Sequence, residues 1–122
     1  MGIKLVIADD AAFIREAVRN LLEGTDIEII AEAVNGAEAV VIVDKMKPEV
    51  VLMDLIMPEK NGVEAAREIL KKNPKMRIVA CSTEGQTSLI MSALDAGCCN
   101  FISKPFKSEE LLKVIRSAGK AR

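Results

Sequence analysis

Residues Ile3–Asp10 read IKLVIADD. Apart from Lys4, the run to Ala8 is apolar and rich in branched side chains, the pattern of a short strand buried in a sheet. It ends in two adjacent aspartates, Asp9 and Asp10. Aspartate disfavours strands, and neighbouring carboxylates repel each other. A carboxylate pair at the tip of a buried strand needs a reason, and the rest of the chain supplies one.

Working outward, short apolar runs alternate with amphipathic segments. Phe13, Ala17, Val18, Leu21 and Leu22 recur at helical spacing, and Gly24 stops that helix. Ile27–Val34 (IEIIAEAV) is a strand with partial alternation, which suits an edge position. Asn35 and Gly36 make a turn, a helix runs over Ala37–Met46, and Pro48 closes it. Val50–Met53 is a third strand, ending in Asp54. Pro58, Asn61 and Gly62 mark a loop, and Gly62–Lys72 is a helix with Val63, Ala66, Ile69 and Leu70 on one face. Met76–Cys81 is a fourth strand, ending in Ser82 and Thr83. Gln86–Ala96 is a helix stopped by Gly97. Cys99–Ser103 is a fifth strand, followed by Lys104 and Pro105. Ser108–Ala118 is the last helix, with Glu109 and Glu110 placed for its positive end. Five strands alternating with five helices predict an α/β fold: a parallel sheet covered on both faces, because parallel neighbours need crossover helices.

The length of 122 residues suits a single domain over residues 1–122, and half of the chain is apolar, enough for a packed core. A formal net charge of -1 gives no strong field for nucleic acid or an anionic membrane. No apolar stretch is long enough to span a bilayer, and the N-terminus lacks a secretory pattern. Gly2 is not followed by a myristoylation motif. The three cysteines, Cys81, Cys98 and Cys99, read as small buried hydrophobes in a reducing, cytoplasmic setting rather than a disulfide framework. The chain contains no histidine, which removes Ser-His-Asp and Cys-His catalysis and any phosphohistidine of its own.

In an open α/β sheet the ligand site lies beyond the carboxyl ends of the strands. The first strand delivers Asp9 and Asp10 there, the third Asp54, the fourth Ser82 and Thr83, the fifth Lys104. Singly, each has an ordinary explanation: helix caps for the aspartate pair, turn residues for Asp54 and Ser82, a solvated or helix-end lysine for Lys104. Together they converge if the first and third strands are neighbours, which suits a strand order of 2-1-3-4-5. Three clustered carboxylates call for a cation. Oxygen ligands without His or Cys favour a hard ion, and Mg²⁺ is the usual intracellular choice. A lysine and a hydroxyl beside such a centre suit phosphoryl transfer, with Asp54 as the nucleophile that forms an acyl phosphate.

These residues also carry a resemblance. The DD pair after the first strand, VVLMDLIMPEKNG around Asp54, CST after the fourth strand and ISKPF after the fifth resemble the receiver domain of two-component response regulators, over essentially the whole chain. The resemblance implies a flavodoxin-like (βα)5 fold and an Asp54 phosphorylated by a histidine kinase. It implies that Asp10, Asp54 and the backbone carbonyl of Ile56 hold Mg²⁺, with Asp9 acting mainly through water. Lys104 would contact the phosphoryl group, its bond to Pro105 would be cis, and Ser82 and Phe101 would form a switch pair. The domain would catalyse only its own phosphorylation and dephosphorylation.

Four positions depart from the family pattern, one of them Phe101, which stands in place of the frequent Tyr and loses a hydroxyl that could bond a partner. Thr83 stands where a small residue is usual and would narrow access to Asp54. Ile56 is apolar, with Glu84 nearby, so neither access nor lifetime follows the common pattern. Ser82 keeps the hydroxyl of the commoner Thr. A lone receiver acts by binding, and the resemblance puts its output face at Met91, Asp95, Phe101, Lys107, Lys113 and Arg116. Among receivers, IADDAAFIREAVRNLL and VACSTEGQ look most like the chemotaxis regulators. That implies a chemotaxis kinase, the flagellar motor switch and a phosphatase as partners, with no nucleic acid and no membrane. The runner-up is a stand-alone or excised receiver of another phosphorelay. A haloacid dehalogenase-type phosphohydrolase is more distant, because its nucleophile belongs to a DxD pattern at the first strand. A flavodoxin-like cofactor carrier finds no phosphate loop or stacking aromatic.

Overall fold

The apolar runs and amphipathic segments become ten elements in a computed structural model that describes residues 2–83 and 85–120. The strands are β1 (Ile3–Ala8), β2 (Ile27–Ala33), β3 (Val50–Asp54), β4 (Arg77–Ser82) and β5 (Asn100–Ser103). The helices between and after them are α1 (Ala12–Leu22), α2 (Gly36–Met46), α3 (Gly62–Lys72), α4 (Thr87–Ala96) and α5 (Ser108–Lys120). The strands are all parallel, in the order β2-β1-β3-β4-β5. The expected α/β architecture and strand order are therefore the observed ones.

Side chains alternate across a strand, and here both faces are apolar. Val6, Ala8, Val51, Met53, Ile78 and Ala80 face α2, α3 and α4. Leu5, Ile7, Val50, Leu52, Val79 and Cys81 face Val18 and Leu22 of α1 and Leu111 and Ile115 of α5. This two-sided burial explains why the inner strands read as unbroken apolar runs. β2 lies at the edge, and its middle residues are half-buried. The adjacent Cys98 and Cys99 divide between the two layers, Cys98 in the first and Cys99 packed against the second.

The differences from the sequence expectation are small and local. α1 is capped by Ala11 with no side-chain bond, so the aspartate pair does not cap it. α2 starts one residue early, at Gly36, because the Asn35 side chain accepts the Glu38 amide at 2.7 Å. β4 is displaced by one residue and takes in Ser82, which pairs with Ser103. β3 likewise includes Asp54, paired with Cys81. α5 runs two residues past Ala118 to Lys120.

The loop after β3 is pinned from two sides. Asn61 and Glu64 form a reciprocal capping box at the start of α3, and Lys60 pairs with Glu68. On the other side, the Lys60 backbone rests on the first turn of α2. A Cβ at Gly36 would lie 1.9 Å from the Lys60 carbonyl oxygen, so only glycine fits there. Gly36→Ala is expected to destabilise the fold by about 1–3 kcal/mol, read as a lower urea midpoint. An unchanged midpoint would mean that the loop yields without cost.

Candidate functional site

β1 and β3 are neighbours, with Ala8 opposite Met53, so the residues at their C-terminal ends meet. One carboxylate oxygen from each of Asp9, Asp10 and Asp54 lies within 4.8 Å of the others. Asp9 and Asp54 are buried, at 3% and 7% exposure, whereas Asp10 opens to solvent. Lys104 arrives from the end of β5, where its amide donates to the Ser82 carbonyl at 2.8 Å. Its Nζ lies 2.8 Å from Asp9 Oδ2 and 3.4 Å from Asp54 Oδ1. The Lys104–Pro105 peptide is cis.

The electrostatics follow from that crowding. Burial, followed by the charge of Asp9, pushes the Asp54 carboxyl up to about 6, against the pull of Lys104 and of the Ile56 amide. For Lys104, burial works against the ammonium, but the Asp9 hydrogen bond and the Asp54 charge outweigh it and hold its pKa above the usual lysine value. One lysine thus serves two buried carboxylates, with a third carboxylate beside them. The donor set is oxygen only, with an exposed carboxylate as its open side. That fits a hard divalent cation such as Mg²⁺, which keeps waters and takes one or two carboxylates.

Ser82 ends β4 at 1% exposure, and its Oγ has no hydrogen-bond partner among the described residues. A buried hydroxyl without a partner is unusual in a native fold. Thr83, next along, is exposed, and its amide donates to Gln86 Oε1 at 2.9 Å. Ile56 is also exposed, with its amide 3.5 Å from Asp54 Oδ1. Phe101 lies on β5 opposite Ala80 and is 43% exposed. Glu84 lies outside the described residues.

The residues expected at an output face separate into two groups. Met91 is 56% exposed, so it does not fill the core, and Asp95, Lys107 and Lys113 are exposed as well. Arg116 is half-buried and ion-paired to Asp26 at 2.7 Å, which commits its guanidinium within the chain.

Two contributors escape a reading by strand ends. In the sequence Gly62 looks only like a loop breaker, yet a Cβ there would lie 2.2 Å from the Asp54 carbonyl oxygen. Arg15 donates from Nη1 to the Asp9 carbonyl at 2.7 Å; it looks like any polar residue of an amphipathic helix, and no spacing marks it.

The Asp54 shift has a definite sign. Its folded pKa lies above its ordinary 3.8, so the fold favours the neutral acid. That stabilisation is complete below about pH 4 and is lost as pH rises through about 6. In metal-free buffer at pH 7.5, Asp54→Asn is therefore expected to resist urea better than the parent chain. The gain is on the order of 1–3 kcal/mol, and the difference should vanish near pH 4. Equal stability at pH 7.5 would show that the charge is not under strain.

The family profile of the response regulator receiver domain matches residues 5–116. The chain is 40% identical over 118 residues to the chemotaxis protein CheY of Listeria monocytogenes, covering 97% of this chain and 99% of that protein. It is 38% identical over 120 residues to CheY of Thermotoga maritima, covering 98% and 100% respectively. The crystal structure of the response regulator domain of Thermotoga maritima CheB superposes with a TM-score of 0.91 at 33% identity, covering 100% of this chain and 99% of that one.

Proposed function

We propose, for a chain that belongs to the response regulator receiver family, that Asp54 takes a phosphoryl group from the phosphohistidine of a partner histidine kinase and that the phosphorylated form signals by binding an effector. The observation that supports it best is the grouping at the strand ends: a buried carboxylate with a pKa pushed up to about 6, a lysine shared with Asp9, and a buried hydroxyl without a partner.

Asp10, Asp54 and the Ile56 carbonyl would hold Mg²⁺, and Asp9 would act mainly through water. Both Asp9 oxygens already accept protein donors, from Ala11 and from Lys104, which supports the indirect role. The ion supplies charge neutralisation for the incoming phosphoryl oxygens. The chain's own groups do the rest. An Asp54 carboxylate oxygen forms the new O–P bond as the donor's N–P bond breaks, and the electron pair of that bond stays on the imidazole. Lys104 is already 3.4 Å from Asp54 and would take up one of the new phosphoryl oxygens. Ser82 Oγ would gain there the partner it lacks, donating as a hydroxyl to a strong acceptor. Phe101, exposed on the adjacent strand, would turn inward as Ser82 moves, changing the surface that an effector meets. The Ile56 side chain has no polar group with which to orient an attacking water, so it gives hydrolysis of the acyl phosphate no help. The chain would be a signalling protein that catalyses only its own phosphorylation and dephosphorylation.

The similarity to CheY proteins over nearly the whole chain supports a chemotaxis kinase as donor and the flagellar motor switch as target. The cytoplasm is the setting that this role implies. The exposed Met91, Asp95, Phe101, Lys107 and Lys113 would contribute to the docking face, and Arg116, ion-paired to Asp26 at the surface, would lie beside them. The second reading is a stand-alone or excised receiver of another phosphorelay; the similar response regulator domain of CheB, and a match to 27% of a longer protein-glutamate methylesterase, support the excised form without pointing away from chemotaxis.

Acetyl phosphate with Mg²⁺ is expected to label the parent chain in an acid-labile form and to leave Asp54→Asn at background. Full labelling of that variant would place the acceptor elsewhere. Thr83→Ala is expected to phosphorylate faster than the parent in the same assay, and an unchanged or lower rate would remove the steric role of Thr83.

A further inference from the structure

Asp9 is engaged at every polar atom it has. Its amide donates to the Ala33 carbonyl of β2 at 3.0 Å. Its Oδ1 accepts from the Ala11 amide at 2.9 Å and its Oδ2 from Lys104 at 2.8 Å. Its carbonyl accepts from Arg15 Nη1 at 2.7 Å. That carbonyl belongs to the peptide joining Asp9 to Asp10. A planar peptide turns as one unit, so what orients the carbonyl also orients the start of Asp10.

Arg15 is itself anchored. Its Nε donates to Glu32 Oε1 of the edge strand at 3.0 Å, and Arg19 Nη1 donates to the same carboxylate at 2.6 Å. The Arg15 side chain is 16% exposed and that of Arg19 is 45% exposed. The two arginines thus share Glu32, but among the described residues only Arg15 of the two bonds the Asp9–Asp10 turn.

We propose that Arg15 is a positioning residue for the ion site: its guanidinium, anchored on Glu32, clamps the Asp9–Asp10 peptide and sets the direction of the Asp10 carboxylate. The planar fork suits the task, because two N–H groups of fixed relative direction reach two acceptors at once. A lysine carries the same charge on a single nitrogen and cannot reproduce that geometry. The positive charge of Arg15 would by itself oppose a cation, but the Glu32 carboxylate at 3.0 Å offsets it, which leaves orientation as the larger effect. Groups that orient ligands without touching the ion commonly change metal affinity about 10–100-fold. The inference rests on the reading of Asp10 and Asp54 as ion ligands.

Arg19 provides the internal control. Arg15→Ala and Arg19→Ala each remove one ion pair to Glu32, and only the first removes the clamp. If Arg15 merely covered the edge strand, both variants would lose stability alike and neither would lose affinity. Mg²⁺ binding by calorimetry is expected to weaken about tenfold in Arg15→Ala and to stay within about twofold of the parent in Arg19→Ala. Arg15→Lys is expected to weaken binding as well, since charge without the fork does not suffice. In metal-free protein, the Ala11 amide, which donates to Asp9 Oδ1 at 2.9 Å, should exchange with solvent faster in Arg15→Ala than in Arg19→Ala; this readout needs no ion. Equal affinity in the parent chain and in both Arg15 variants, or tighter binding in Arg15→Ala, overturns the clamp and leaves the ion site standing. A parent chain that takes up no Mg²⁺ overturns the ion-site reading and the clamp with it.

Discussion

The parallel sheet forces like charges together, and the site at its C-terminal edge follows from that constraint. β1 and β3 are hydrogen-bonded neighbours, so the carboxylates at their ends cannot move apart without breaking the ladder. Burial removes the water that would otherwise screen them. Lys104 offsets part of the repulsion, and it reaches the site only because β5 ends beside Ser82. The two-sided core holds the frame that keeps this arrangement in place.

Around the charges the backbone is held by close contacts. Gly36 and Gly62 let backbone pass backbone where a side chain would collide. The capping box on α3 and the Lys60–Glu68 pair hold the other side of the β3 loop. A metal centre built on two strand tips and one loop depends on such supports, because ligand geometry is lost with displacements much smaller than a side chain. The edge strand takes part as well, since Ala33 and Glu32 connect it to Asp9 directly and through Arg15.

Much of this was legible in the sequence. Strong punctuation at Gly24, Pro48, Gly97 and Pro105 marked the elements to within one or two residues, and unbroken apolar runs marked strands buried on both faces. The strand-end rule then collected Asp9, Asp10, Asp54, Ser82 and Lys104 from the ends of four strands. What stayed hidden depends on distances between elements. Ser82 looked like a loop residue because it is polar, whereas its pairing with Ser103 makes it part of the strand. Arg116 looked like a free surface cation because Asp26 is 90 residues away in the chain. Met91 fits an apolar stripe equally well whether that stripe faces core or solvent. The upward shift of Asp54 needs both its burial and the position of Asp9, and neither can be read from composition.

The sheet also acts as a wall between two sulfurs. Cys98 and Cys99 are consecutive, yet their side chains lie on opposite sides of it. Burial pushes the Cys98 thiol up to about 12, so that it stays protonated and is a poor nucleophile. A ring between the two would require drawing one residue through the β5 end of the sheet. The folded chain therefore protects itself against self-crosslinking at this dipeptide, and an oxidant would meet the half-buried Cys99 first.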